Sequence, residues 1–174
     1  MADRRGLRIL LAVVVALVVA GIGLFAGRGA SHVASDFVVP DLQGNAVRLS
    51  ALRGKVVFLN LWATWCPPCR EEMPSMERLY QQFRGRDFAM LAVAADEEKR
   101  AVETFVRDHQ LSFPVLFDPD RQVGDAYGVW GYPETFLIDR SGTIVEHVVG
   151  PRAWDSAAQI AAIEGLLAAA PAQP

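Results

Sequence analysis

The sequence predicts an α/β domain carried behind one apolar, membrane-spanning segment. Three observations lead there. Short apolar runs of strand character alternate with stretches whose apolar positions recur at helical spacing. The only two cysteines among the 174 residues, Cys66 and Cys69, stand where one such run meets one such stretch. Near the N-terminus a group of arginines precedes 18 uncharged positions, Ile9 to Ala26.

Residues 1–8 form a basic N-terminus with Arg4, Arg5 and Arg8. The run over 9–26 is near the lower limit for crossing a bilayer, and the arginines before it keep that end cytoplasmic and send the rest across. A cleaved signal peptide usually has a shorter apolar core and small residues before the cut. Here Ala30 has Arg28 at the minus-three position and Ala34 has His32, so an uncleaved anchor is expected. Residues 27–36, with Gly27, Gly29 and Ser31, read as a flexible tether in which His32 is exposed and inert.

The domain is expected over 37–174. It opens with a hairpin, Val38-Val39 and Ala46–Leu49 around Gly44-Asn45. Lys55–Trp62 reads as a buried strand. A helix follows, with Pro68 in its first turn, where the missing N–H is not needed. Met73, Met76, Tyr80 and Phe83 continue it as a core stripe, and Pro74 falls inside it and should kink the axis. Phe88–Ala94 is the next strand and Glu98–Gln110 the next helix, with Val102, Phe105, Val106 and His109 on one face. Val115–Phe117 and a short helix over Val123–Tyr127 come next. Thr135–Ile138, a turn at Arg140-Ser141-Gly142, Ile144–Val149 and an amphipathic helix from Asp155 to about Ala169 close the chain.

An apolar content of 52% suits a single core, and the N-terminal run contributes to the mean hydropathy of +0.20. Removing residues 1–28 takes away four arginines and Asp3, leaving 13 basic against 19 acidic side chains, a balance of −6. An acidic domain is a poor nucleic-acid binder.

The chemistry centres on Trp65-Cys66-Pro67-Pro68-Cys69. Cys66 stands at a helix N-terminus, where free N–H groups and the positive end of the helix dipole favour a thiolate, the attacking species. Cys69, one turn in and more buried, resolves a mixed disulfide by attacking the Cys66 sulfur. Cys66–Cys69 is therefore expected to be a redox-active disulfide, with no other cofactor and no metal. A structural staple is disfavoured because so short a loop removes little chain entropy. A zinc site lacks partners, since His32, His109 and His147 are scattered singly. A copper carrier using both thiols stays open. Glu72, three residues after Cys69, shares its helix face, and a carboxyl beside a buried thiol could serve as its base. The helix dipole alone would also favour acids at Glu71 and Glu72.

Phe37-x-x-Pro40-Asp41-Leu42-x-Gly44, Leu49-Ser50-x-Leu52-x-Gly54-Lys55 and the Trp-Cys-x-x-Cys run together resemble the membrane-anchored thioredoxin-like proteins of the TlpA, ResA and CcmG (DsbE) type. The block Tyr127–Asp139, containing Gly131-Tyr132-Pro133-Glu134-Thr135-Phe136, resembles that family's cis-proline segment. The resemblance implies a thioredoxin fold with an N-terminal β-hairpin and a central βα insertion, here about Phe88 to Phe113. It also implies a cis Pro133 facing the cysteines, 67 residues after Cys66. Trp65, Pro67, Pro68, Tyr132 and Pro133 would then form the docking surface, with Glu134 along the groove. The buried acid of many thioredoxins is replaced here by Asn60, and Glu72 matches the acid of the ResA-like group.

The function so implied is a reductant of protein disulfides on the outer face of the cytoplasmic membrane, the periplasmic side. It would act in cytochrome c maturation on the Cys-x-x-Cys-His of apocytochrome c and receive electrons from a membrane thiol reductant of the DsbD or CcdA type. The alternatives are a TlpA-like reductant for copper-centre assembly or general periplasmic thiols, and, more remotely, a copper-binding assembly protein. A peroxidase would instead want a lone peroxidatic cysteine.

Overall fold

The structure, a computed structural model, describes residues 32–96 and 98–169. In chain order its elements are β1 (His32–Val33), β2 (Val38–Pro40), β3 (Ala46–Arg48), a 3-10 turn (Leu49–Leu52), β4 (Val56–Trp62) and α1 (Pro67–Phe83). They continue as β5 (Phe88–Ala94), α2 (Lys99–Asp108), β6 (Val115–Phe117), α3 (Gln122–Ala126), β7 (Glu134–Ile138), β8 (Thr143–Val149) and α4 (Ala157–Ala168). No helix among the described residues is long and apolar enough to cross a membrane. The basic N-terminus over 1–8, the span over 9–26 and tether residues 27–31 lie outside the described residues.

Six strands form one mixed sheet in the order β1-β8-β7-β4-β5-β6. β4, β5 and β6 run parallel, while on the other side β7 is antiparallel to β4 and β8 is antiparallel to β7. All seven residues of β4 are buried because both faces of the sheet are covered, which is why the strand reads as an unbroken apolar run. Its alternation divides two cores. Val56, Phe58 and Trp62 pack with Met73, Met76, Leu79 and Phe83 of α1 and with Ile163 of α4. Val57, Leu59 and Leu61 point the other way, among Val39, Leu49, Val123 and Phe136. Asn60 is the one polar side chain of β4, and it faces α1.

The thioredoxin-like α/β architecture matches the expectation, including the β2–β3 hairpin and the β5–α2 segment over Phe88–Phe113. The described structure departs from the reading at its margins. Residues 32–36 of the tether belong to the domain: His32 and Val33 pair with Ile144 and Thr143, and Ala34 is buried. Asp36 accepts hydrogen bonds from the Ser50 N–H and hydroxyl at 2.8 and 2.9 Å. Leu49 leaves the hairpin strand for the 3-10 turn, since its side chain is drawn into the core beneath it. The last helix starts at Ala157 rather than Asp155, whose carboxylate instead accepts from Arg78 Nε at 2.5 Å. The turn at Gly142 requires glycine: φ is +85°, and Arg53 occupies the space where a Cβ would stand.

Candidate active site

The sequence around the cysteines dictates an unusual helix start. Cys66 is the N-cap of α1, and Pro67 and Pro68 occupy its first two positions. Neither proline has an N–H, so the first backbone donor of the helix is that of Cys69. It points at the Cys66 sulfur, 3.2 Å away. A capping sulfur thus takes the role usually filled by a Ser or Asp oxygen, and negative charge on it meets both a hydrogen bond and the positive end of the helix.

The two sulfurs are joined as a disulfide with Cα atoms 5.3 Å apart. Cys69 is fully buried and Cys66 nearly so. The Tyr132–Pro133 peptide is cis, and the Tyr132 carbonyl oxygen lies 3.5 Å from the Cys66 sulfur. Pro133 is buried, Tyr132 half-buried, and Pro67 exposed with Pro68 beside it. Trp65 is 65% exposed and packs edge-on against Tyr132, ring centroids 5.9 Å apart. The expected docking residues are therefore brought to one place.

Glu72 lies beneath this surface, 3% exposed. Its Oε1 accepts from Asn60 Nδ2 at 3.0 Å, and its Oε2 accepts from Trp154 Nε1 at 2.9 Å and the Arg152 N–H at 3.2 Å. Burial pushes its carboxyl above the ordinary 4.5, against the opposite pull of those three bonds. A cavity of about 360 Å³ along α1, lined by Glu71, Glu72, Ser75, Arg78, Arg152 and Asp155, joins this acid to solvent. Glu71 is exposed. Asn60, which cannot titrate, thus acts as a donor: its amide bridges Glu72 and the Thr135 hydroxyl, 2.9 Å away.

Glu134 is buried behind Pro133 and pairs with His147 Nε2 at 2.6 Å, and the His147 ring stacks on Phe136 with centroids 4.2 Å apart. These contacts give His147 a structural place on β8. Trp62 is plain core at 0% exposure.

Five residues to which the sequence assigns no role converge here. Trp154 and Arg152 complete the Glu72 network from beyond β8. Arg121 stands over the Tyr132 ring, 5.7 Å from its centroid. Trp130, three residues before Pro133, is 96% exposed; a tryptophan inside the cis-proline block was the available signal. Asp96, just after β5, binds Thr64, and its signal was an acid at the C-terminal end of a strand parallel to β4, the strand that leads into the cysteine turn.

Residues 30–147 match the model of the AhpC/TSA family. The chain is 44% identical over 130 residues to the thiol-disulfide oxidoreductase ResA of Bacillus subtilis (strain 168), covering 73% of each protein. It is 39% identical over 153 residues to the ResA of Bacillus thuringiensis (strain Al Hakam), covering 82% of this chain and 88% of the relative. Among solved structures it resembles a Chlorobium tepidum protein assigned as thiol:disulfide interchange protein DsbE. There the TM-score is 0.73 and the identity 36%, over 79% of this chain and 96% of that one.

Proposed function

Since the chain belongs to the AhpC/TSA family and is a thiol-disulfide oxidoreductase of the ResA and DsbE type, we propose that it is an extracytoplasmic reductant of protein disulfides acting on apocytochrome c. The observation that carries the reading is the Cys66 sulfur between the Cys69 N–H and the Tyr132 carbonyl, with buried Glu72 one turn behind Cys69.

In the reduced protein the Cys66 thiolate attacks one sulfur of the substrate disulfide. A mixed disulfide forms, and the other substrate sulfur leaves as a thiolate that takes up a proton. Cys69 passes its proton to the Glu72 carboxylate and attacks Cys66, so that the Cys66–Cys69 bond forms and the second substrate thiol departs. Two electrons move to the substrate, and a membrane thiol reductant of the DsbD or CcdA type restores the dithiol. The backbone of Tyr132, beside a proline that offers no competing N–H, pairs with the extended substrate chain, and Trp65 packs over it. No further cofactor enters these steps.

The arginines ahead of the apolar run over 9–26 support an anchor with the domain outside the cytoplasm. Disulfides persist in such compartments, so a reductant there needs its own electron supply.

The test is a trap. Full-length protein carrying Cys69→Ser, expressed in its own host, is expected to hold apocytochromes c on Cys66 as mixed disulfides. Capture of copper-site proteins instead would move the substrate to oxidase assembly, and an empty trap would overturn the assignment of Cys66 and Cys69.

A further inference from the structure

On the side of the nucleophile turn away from Glu72 lies a second buried acid. β4 and β5 are parallel and end together, Trp62 opposite Ala94. The Ala95 N–H then donates to the Trp62 carbonyl at 3.0 Å, which carries the chain leaving β5 alongside the turn that enters α1. Asp96 follows, 3% exposed. Its oxygens accept from the Thr64 N–H at 3.0 and 3.2 Å, and also from the Thr64 hydroxyl.

The turn itself has one internal bond, from the Cys66 N–H to the Ala63 carbonyl at 3.2 Å. Without Asp96, the Thr64 N–H and hydroxyl at its middle would lose their acceptor. A buried carboxylate is costly to place unless its hydrogen bonds need it, because a neutral acceptor would satisfy Thr64 at less desolvation cost. Among the described residues no ion pair at 4 Å or less includes Asp96. Among these residues its carboxylate is thus met at contact distance by hydrogen-bond donors of Thr64 and by no cation. Thr64 is two residues from Cys66, so their Cα atoms are within about 7 Å of each other.

We propose that Asp96 is a positioning residue for the nucleophile. Its carboxylate fixes the Thr64 corner of the turn that presents Cys66, and its charge opposes the Cys66 thiolate. The two acids then have opposite duties: Glu72 moves a proton for Cys69, while Asp96 keeps the reduced state from being overstabilised, which favours giving electrons away. The proposal rests on the assignment of Cys66 as nucleophile.

Two variants of the full-length protein test it. Asp96→Ala removes bonds and charge, and the rate constant for exchange with a protein disulfide is expected to fall about tenfold or more, the effect of a misplaced attacking atom. Asp96→Asn keeps an acceptor of the same shape and removes the charge. It should retain most of the rate, while its equilibrium with glutathione shifts about fivefold or more towards the dithiol. A merely structural residue would not move that equilibrium in the isosteric variant. Asp96→Ala exchanging at the wild-type rate, or Asp96→Asn with the wild-type equilibrium constant, overturns the proposal. Should Asp96→Ala fail to fold, the Asp96→Asn equilibrium decides. Loss of exchange on Cys66→Ser supports the premise, and its retention would show that the assignment of Cys66 failed instead.

Discussion

Glu72 is held where its charged form is poorly solvated, although three donors are aimed at it. Burial is the larger influence, so its folded-state pKa stands above the ordinary 4.5. The native state then binds this proton more tightly than the unfolded chain does. The resulting stability is complete below the unfolded value and is lost as pH rises through the folded one. Glu72→Gln cannot titrate. Measured by urea midpoints across a pH series, wild type is expected to lose stability relative to Glu72→Gln as pH climbs above 4.5. The pH dependence of exchange should flatten in the same variant. Parallel stability curves with an unchanged rate profile would remove Glu72 from the proton path. The network explains why the sequence alone left this residue between two readings. Its place on the Cys69 face follows from helical spacing, but Arg152 and Trp154 lie 80 and 82 positions away, and no local pattern announces them.

At the scale of elements, β4 joins the two cores, and its odd-numbered residues pack against the hairpin side while the catalytic helix covers the other. Leu59 is completely buried in the second core. Leu59→Ala should cost about 2–5 kcal/mol, read as a lowered urea midpoint at unchanged slope. Exchange at low denaturant should stay near wild type, because the even-numbered face that supports α1 is intact; a selective loss of activity without loss of stability would contradict that division. Elements of this kind were legible, since an unbroken apolar run and a helical stripe are local signals. The first strand was not: His32 and Val33 form it only because Ile144 and Thr143, more than a hundred residues later, supply an edge to pair with.

For the whole molecule, the proposed topology places basic residues 1–8 on one side of a membrane and the redox face on the other. Alkaline phosphatase fused after Pro174 is expected to be active, and a cytoplasmic reporter at the same point inactive. Full-length mass in the membrane fraction would accompany an uncleaved anchor. The reverse pattern of reporter activity would overturn the orientation. The fold and the positions of the cysteines and Pro133 could be anticipated from motifs because those motifs are short and contiguous. The surroundings that distinguish this site, Asp96 on one side and Trp154 on the other, are assembled by sheet topology.

The paired prolines at the start of α1 have a spectroscopic consequence. Pro67 and Pro68 contribute no amide signals, so the first helical amide in a nitrogen-labelled spectrum belongs to Cys69, and its proton is the one aimed at the Cys66 sulfur. Reduction and deprotonation of that sulfur change the acceptor from a neutral bonded atom to an anion. That one amide resonance would therefore report the charge on the nucleophile during titration, without any label attached to the reactive thiol.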